Sequence, residues 1–435
     1  MFAWLCAAFL MIDRPNILVI LADDLGYSDV GFMGGELATP HLDSWARQGT
    51  VLKTHYVLPV CSPTRAALLT GRYPIRYGLQ EKVVRPWATY GLALDELTLA
   101  EALRRAGYTT AIVGKWHLGH YKPDYLPTRR GFDFQYGHYN GAIDYFTKMR
   151  EGGYDWHRND QACYDEGYST TLLGREACAF IRRVADRQPF FLYLAFNAVH
   201  TPLQVPEEYQ PRDDRLKPRR RIYAGMLRAL DEAVGEVYRT LQELNLVDRT
   251  LMLFSSDNGG FAPGEVTDNT PLRGGKGTLY EGGVRAASCV VWPGVIPVRT
   301  LAEPIHIVDW FPTFVRLAGG HPAEAKPLDG LDIWATLTGE TPSPHDAILL
   351  NATPSEGALR QGPWKLIVRP RGVELYHLLD DPSEQQNLAD QKPDIVASLR
   401  QRFAAWAQAA HPPLYQDKPA AGFRVPKVWG EDHAP

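Results

Sequence analysis

The chain is poor in cysteine: five among 435 residues, at positions 6, 61, 163, 178 and 289, with no Cys-x-x-Cys pair. So sparse and odd a set excludes a disulfide scaffold and a structural zinc site. Cys163 and Cys178 are near enough in sequence to bond, but they are read as free thiols. Nor is one sign of charge in excess: 46 Lys and Arg stand against 50 Asp and Glu, a formal net charge of −4. Such a balance argues against a nucleic-acid binder, and any affinity for an anion must be built locally. The one basic cluster, Lys217, Arg219, Arg220 and Arg221 around Pro218, reads as the exposed start of a helix. No apolar run is long enough to span a bilayer, which excludes stable membrane insertion. Residues 1–12 are apolar, yet they lack a basic lead and a small-residue cleavage site. Residues 1–14 are read as the remnant of an export signal, pointing to a periplasmic, extracellular or lysosome-like location. Internal repeats are absent as well.

What is present suits a large globular chain, 45% hydrophobic and 22% charged, with room for a large core and a smaller second unit. Apolar runs at 16–22, 110–114, 189–196, 250–255 and 288–291 read as buried parallel strands. Helical patterns at 97–106, 170–185 and 221–244 lie between them. The last carries Ile222, Met226, Leu230, Val234, Val237 and Leu241 as a core-facing stripe. Strands alternating with helices indicate an α/β fold with a large, mostly parallel sheet, spanning residues 15–338. Beyond that, 347–352, 364–369 and 373–377 read as short strands and 392–410 as a helix. Residues 339–435 are therefore expected to form a small C-terminal antiparallel sheet with one helix. A Pro- and Gly-rich tail from 412 is expected to wrap the surface.

Sheets of this kind place ligands at the carboxyl ends of their strands, and chemistry-bearing residues fall there. Asp23 and Asp24 end the first strand, and Asp257 and Asn258 end another. Adjacent carboxylates need a cation or an arginine to neutralise them. Three carboxylates and an amide carbonyl are hard oxygen donors, suited to Ca²⁺ or Mg²⁺ rather than zinc. Lys115 and His117, two apart in a segment read as extended, would point to one side. His200 follows the strand at 189–196, and Lys276 lies in the glycine-rich loop 273–277, where backbone can approach a ligand. Pro63 suits a first helical turn. Cys61 then lies at or just before a helix N-terminus, in a field of roughly +0.5 charge that favours an anionic reaction centre. Arg65, one turn on, can face the same pocket. Taken singly, each of these residues has a structural reading too: a helix cap, a core histidine, a turn.

Cys61-Ser62-Pro63-Thr64-Arg65, extended by Leu68-Leu69-Thr70-Gly71-Arg72, resembles the signature of the type I, formylglycine-dependent sulfatases. The stretches 24–31, 39–43, 126–133 and 273–283 are similar to the arylsulfatase B type, the N-acetylgalactosamine-4-sulfatases. The likeness covers most of the chain and thins after about Gly339. It implies an alkaline-phosphatase-like fold and hydrolysis of a sulfate ester on a sulfated saccharide, plausibly 4-O-sulfated N-acetylgalactosamine of chondroitin or dermatan. It also implies that a formylglycine-generating or anaerobic sulfatase-maturating enzyme oxidises Cys61 to formylglycine, whose hydrate attacks sulfur. Asp23, Asp24, Asp257 and Asn258 would hold one Ca²⁺, while Arg65 and Lys115 stabilise the hydrate. Lys115, His200 and Lys276 would bind sulfate, with His200 or Lys276 protonating the leaving alcohol. His117 would take the proton that releases sulfate. One departure stands out: Ala142 occupies a position where relatives often carry a serine near the sulfate. Two other readings remain, a phosphonate or phosphodiester hydrolase of the same superfamily and an inactive glycan-binding relative whose Cys61 is never matured.

Overall fold

The computed structural model describes residues 14–187, 189–261, 266–322, 325–353 and 356–431. The apolar segment 1–12, with Cys6, lies outside the described residues. The strand Asn16–Ala22 shows how the fold is built, because all seven of its residues are buried. Ile17, Val19 and Leu21 enter one apolar cluster, and Leu18, Ile20 and Ala22 enter another on the opposite face. A strand covered on both faces needs no polar side.

On either side of it lie Phe190–Ala195 and Thr250–Ser256, both parallel to it. Thr109–Lys115 and then Phe134–His138 extend the parallel block beyond Phe190–Ala195. The whole is a mixed sheet of ten strands. Helices Cys61–Thr70, Leu99–Arg105 and Trp310–Leu317 contribute to the first cluster; Ser169–Val184 and Pro218–Glu243 contribute to the second. Leu99–Arg105 begins with a reciprocal cap, in which Thr98 Oγ1 accepts from Glu101 N at 3.1 Å and Glu101 Oε2 accepts from Thr98 N at 2.8 Å.

Two expectations are corrected. Ser288–Val291 runs antiparallel to Thr250–Ser256, because the chain between them turns back through the Lys276 loop and the short helix Glu281–Val284 rather than crossing the sheet. The basic cluster is not uniformly exposed: Arg220 is buried, ion-paired with Asp29 and donating to the Val266 carbonyl at 2.8 Å.

The C-terminal strands Ile348–Ala352, Gly357–Gln361, Trp364–Arg369 and Gly372–His377 form an antiparallel sheet in sequence order. Helix Pro393–Gln408 packs on it, with Leu399 and Phe403 buried. The tail then returns to the larger sheet's loops. Leu414 N donates to Gly78 O at 3.0 Å, and Tyr154 N donates to Lys427 O at 2.8 Å. Among the described residues no helix is long and apolar enough to cross a membrane.

Candidate active site

Helix Cys61–Thr70 is buried at all ten positions, and Val60, just before it, is extended. Cys61 is its first residue, so the sulfur sits beside backbone N–H groups that lack intrahelical partners. The Sγ atom lies 3.4 Å from Asp23 Oδ1 and 4.0 Å from Asp24 Oδ1. Burial, reinforced by Asp23 and Asp257, pushes the thiol well above its ordinary value. An unmodified Cys61 is therefore a protonated thiol, and a poor nucleophile.

Four strand ends converge on it. Asp23 and Asp24 follow the first strand, and Asp24 adopts a left-handed backbone with φ 62°. Lys115 ends its strand fully buried, with Nζ 2.5 Å from Asp23 Oδ2. Asp257 and Asn258 follow Thr250–Ser256. His200 presents Nε2 to Asp24 Oδ2 at 3.5 Å. Lys276 reaches in from the glycine loop, with Nζ 2.7 and 2.8 Å from the two Asp24 oxygens. Arg65 is buried and spans the floor: its Nε and Nη2 donate to Asp257 Oδ2 at 3.1 and 2.7 Å, and Nη1 donates to Lys115 O at 3.1 Å.

His117 departs from its expected conformation. The strand stops at Lys115, and His117 turns left-handed at φ 57°, so alternation along a strand does not aim it. Three hydrogen bonds do. His117 N donates to Tyr139 O at 3.0 Å, Ser62 Oγ donates to His117 O at 2.9 Å, and the ring Nε2 lies 3.0 Å from Val84 O. A carbonyl only accepts, so Nε2 carries the proton, and Nδ1 is left as a buried lone pair without a partner. Gly141 makes room for the ring, since a Cβ there would lie 2.3 Å from His117 Cε1. Left-handed backbone at two non-glycine residues of one site stores of order 1–3 kcal/mol each.

Ligand atoms of Asp23, Asp24, Cys61 and His200 all lie within 4.8 Å of one another. Asp257 is turned toward Arg65, while its Oδ1 accepts from Asp24 N at 3.2 Å. Asn258 donates Nδ2 to Asp24 Oδ1 at 2.8 Å, which leaves its own Oδ1 buried and unpartnered. Burial, then Asp257, pushes Asp23 up to about 7. Burial acts on Asp24 in the same direction, but Lys276 and His200 hold it well below the usual carboxylate range. The unpartnered Asn258 Oδ1, whose Nδ2 bonds Asp24, and the Asp23 carboxyl that resists ionisation are hard oxygens of the kind a divalent cation relieves, so these residues fit one. Burial also lowers His200 to about 3 and puts His117 well below its ordinary value, so both rings are neutral near pH 7.

The pocket over Cys61 encloses about 280 Å³ and is lined by His117, His200 and Lys276. Ala142 lines it too and brings no hydrogen-bonding side chain. Lys82, Arg85 and Arg150 complete the wall. None of the three was legible in the sequence, because Lys82 and Arg85 lie in a loop and Arg150 in the two-residue strand Met149–Arg150, all without a motif; their only signal was positive charge.

A family model described as Sulfatase matches residues 15–320. Arylsulfatase J of Mus musculus is 36% identical over 96% of this chain and 80% of its own length. Arylsulfatase A of Homo sapiens is 34% identical over 91% and 88%. N-acetylgalactosamine-6-sulfatase of Homo sapiens is 35% identical over 74% and 66%. Among solved structures, Ps i-CgsB in complex with k-i-k-neocarrahexaose superposes with a TM-score of 0.85 at 33% identity, covering 92% of this chain and 94% of that one. The phosphonate monoester hydrolase of Agrobacterium radiobacter shares the fold at TM-score 0.67 and 21% identity, covering 91% and 96%. The chain belongs to the sulfatase family and is a sulfuric ester hydrolase.

Proposed function

We propose that the protein removes O-sulfate from a sulfated saccharide, using formylglycine derived from Cys61 and one Ca²⁺ held by Asp23, Asp24, Asp257 and Asn258. The observation that carries this reading is the position of Cys61: the first residue of a buried helix, 3.4 Å from Asp23 Oδ1, on a pocket shared with His117, His200 and Lys276. An aldehyde hydrate at that position supplies one hydroxyl to attack sulfur and a second whose deprotonation expels sulfate. The cation supplies fixed positive charge for an oxygen of the ester.

The chain's own residues do the rest. Lys115 and Lys276 aim ammonium groups at the place where charge develops. Burial opposes a charge on Lys276, but Asp24 keeps its pKa above the ordinary lysine value, so it stays protonated. Arg65 fixes Asp257 and the Lys115 carbonyl, tying the nucleophile helix to two strand ends. His200 is neutral in the free protein; an anionic ester beside it favours the imidazolium, which can then protonate the leaving alcohol. His117 Nδ1, an unpartnered acceptor, is suited to take the second proton.

The test is sulfate release by protein co-expressed with a formylglycine-generating enzyme, on chondroitin-4-sulfate and chondroitin-6-sulfate disaccharides with an aryl sulfate as control. Release from the 4-sulfate alone supports the N-acetylgalactosamine-4-sulfate reading. Release from the 6-sulfate alone overturns that position and favours the one named by the galactosamine-6-sulfatase relatives. Turnover of a phosphodiester in preference to all three overturns sulfate hydrolysis. Chelation is expected to abolish release and added Ca²⁺ to restore it.

A further inference from the structure

The pocket over Cys61, at about 280 Å³, has room for little beyond one sulfated sugar ring. Beside it lies a cleft of about 1050 Å³, and the two share Pro86 in their walls. One side of the cleft is loop 86–89 with His120 and Tyr121; the other is the tail, residues 420–427 and 429–431. The tail is tied down at both ends of this stretch. Trp87 Nε1 donates to Gln416 O at 3.2 Å. Trp429, almost fully buried, donates through Nε1 to Arg150 O at 2.8 Å, and Arg150 itself lines the catalytic pocket. The cleft thus adjoins the pocket, the two sharing Pro86 as a wall and meeting at the Arg150–Trp429 contact.

Its lining is selective. Phe423 stacks on Trp429 with ring centroids 6.3 Å apart, yet Phe423 itself remains 38% exposed. Trp87 is half-buried and Tyr121 keeps an exposed ring. Partly open aromatic faces of this kind receive the C–H face of a sugar while their polar edges bond elsewhere. Cations accompany them. Arg424 and Lys427 are exposed on the tail, and Arg85 lies 5.8 Å from the Trp87 ring on the pocket side. Glu431 is the one carboxylate among the described residues of the lining. The excess of positive charge fits an anionic glycan and disfavours a neutral one.

We propose that this cleft binds the sugar residues continuing from the sulfated one, so that the enzyme acts on an anionic oligosaccharide rather than a single sulfated sugar. The proposal rests on the sulfated-saccharide reading above. Aromatic faces hold the rings, and Arg424 and Lys427 meet a second sulfate or a carboxylate along the chain. The tail, far from Cys61 in sequence, then sets substrate length.

The experiment compares kcat/KM for a sulfated tetrasaccharide, the matching sulfated monosaccharide and an aryl sulfate, in the matured wild type and in Phe423→Ala and Arg424→Ala. Both positions are exposed, and aryl sulfate turnover reports that each variant is folded and matured. Wild type is expected to prefer the tetrasaccharide, and the tetrasaccharide-to-aryl-sulfate ratio is expected to fall about tenfold in each variant. A wild type that turns over monosaccharide and tetrasaccharide equally, or variants whose ratio does not move, overturns the cleft while leaving the sulfatase reading intact. Turnover of the aryl sulfate with neither sugar accepted overturns the saccharide reading, and the cleft falls with it.

Discussion

Of two buried charge clusters in this molecule, one beneath the C-terminal sheet and one around Cys61, only the second is built for chemistry. Beneath the C-terminal sheet, Lys365 is fully buried with Nζ 2.9 Å from Glu281 Oε1 and 2.8 Å from Glu384 Oε1. Tyr56 OH donates to Glu281 Oε2 at 3.0 Å, and Arg360 Nη1 donates to Tyr56 OH at 2.8 Å. That cluster joins the short helix Glu281–Val284 to the second sheet, just past the loop that carries Lys276. The cluster around Cys61 also pairs cations with carboxylates and leaves Asn258 Oδ1 and His117 Nδ1 buried without partners; Glu384 Oε1 in the other cluster has its ion pair with Lys365 and no hydrogen bond, but only the Cys61 cluster opens onto a cavity. Buried charge by itself therefore marks strength of attachment. Unspent lone pairs facing a cavity mark a reaction site.

The comparison can be broken most sharply at Cys61. Cys61→Ala is expected to reduce sulfate release to background while far-ultraviolet circular dichroism stays that of the wild type; retained turnover in a matured preparation would sink the mechanism. Next is His117→Ala, expected to lower kcat by about 10²–10⁴-fold, the range of a lost general acid or base. A loss below tenfold would remove His117 from proton transfer. The other cluster should respond in a different observable. Lys365→Met leaves two carboxylates buried without their cation and should cost about 3–5 kcal/mol of stability. Thermal unfolding reads that loss, while kcat measured well below the midpoint should stay within about twofold of wild type. A kcat loss matching that of His117→Ala would erase the distinction between the clusters.

The smallest effect expected is at His55. Burial pushes this histidine down to about 3, and Trp310 Nε1 donates to its Nε2 at 3.0 Å, a bond that protonation removes. Unfolded, His55 takes up its proton near pH 6.5; folded, not until about pH 3. Its contribution is thus whole above pH 6.5 and is lost progressively as the pH falls from there toward 3. His55→Gln should flatten the decline of Tm between about pH 7 and pH 4, and an unchanged slope would count against it.

Legibility in the sequence followed burial and periodicity. Asn16–Ala22 and Ser288–Val291 were readable to the residue because they are short apolar runs between turns. The direction of Ser288–Val291 was not, since one strand's composition says nothing of its neighbour's polarity. Phe134–His138 escaped notice: Gly137 interrupts the run, and a Cβ there would lie 2.3 Å from Gly114 O, so packing rather than propensity chose it. Helix Cys61–Thr70 is buried all round and hence has no period to detect; Pro63 and the run Ala66-Ala67-Leu68-Leu69 announced it. Candidate site residues at strand ends were visible through the carboxyl-end rule. The basic pocket wall of Lys82, Arg85 and Arg150 was not, because a loop and a two-residue strand leave no pattern along the chain.

The burial of Cys61 has a consequence in time. In the folded protein its side chain is 1% exposed, beneath groups that include Lys276, synthesised long after it. An enzyme oxidising residue 61, as the proposed function requires, could not grasp it there. The nascent chain would then offer a window that folding closes, and whether a molecule ever became active would be settled by a race between modification and collapse.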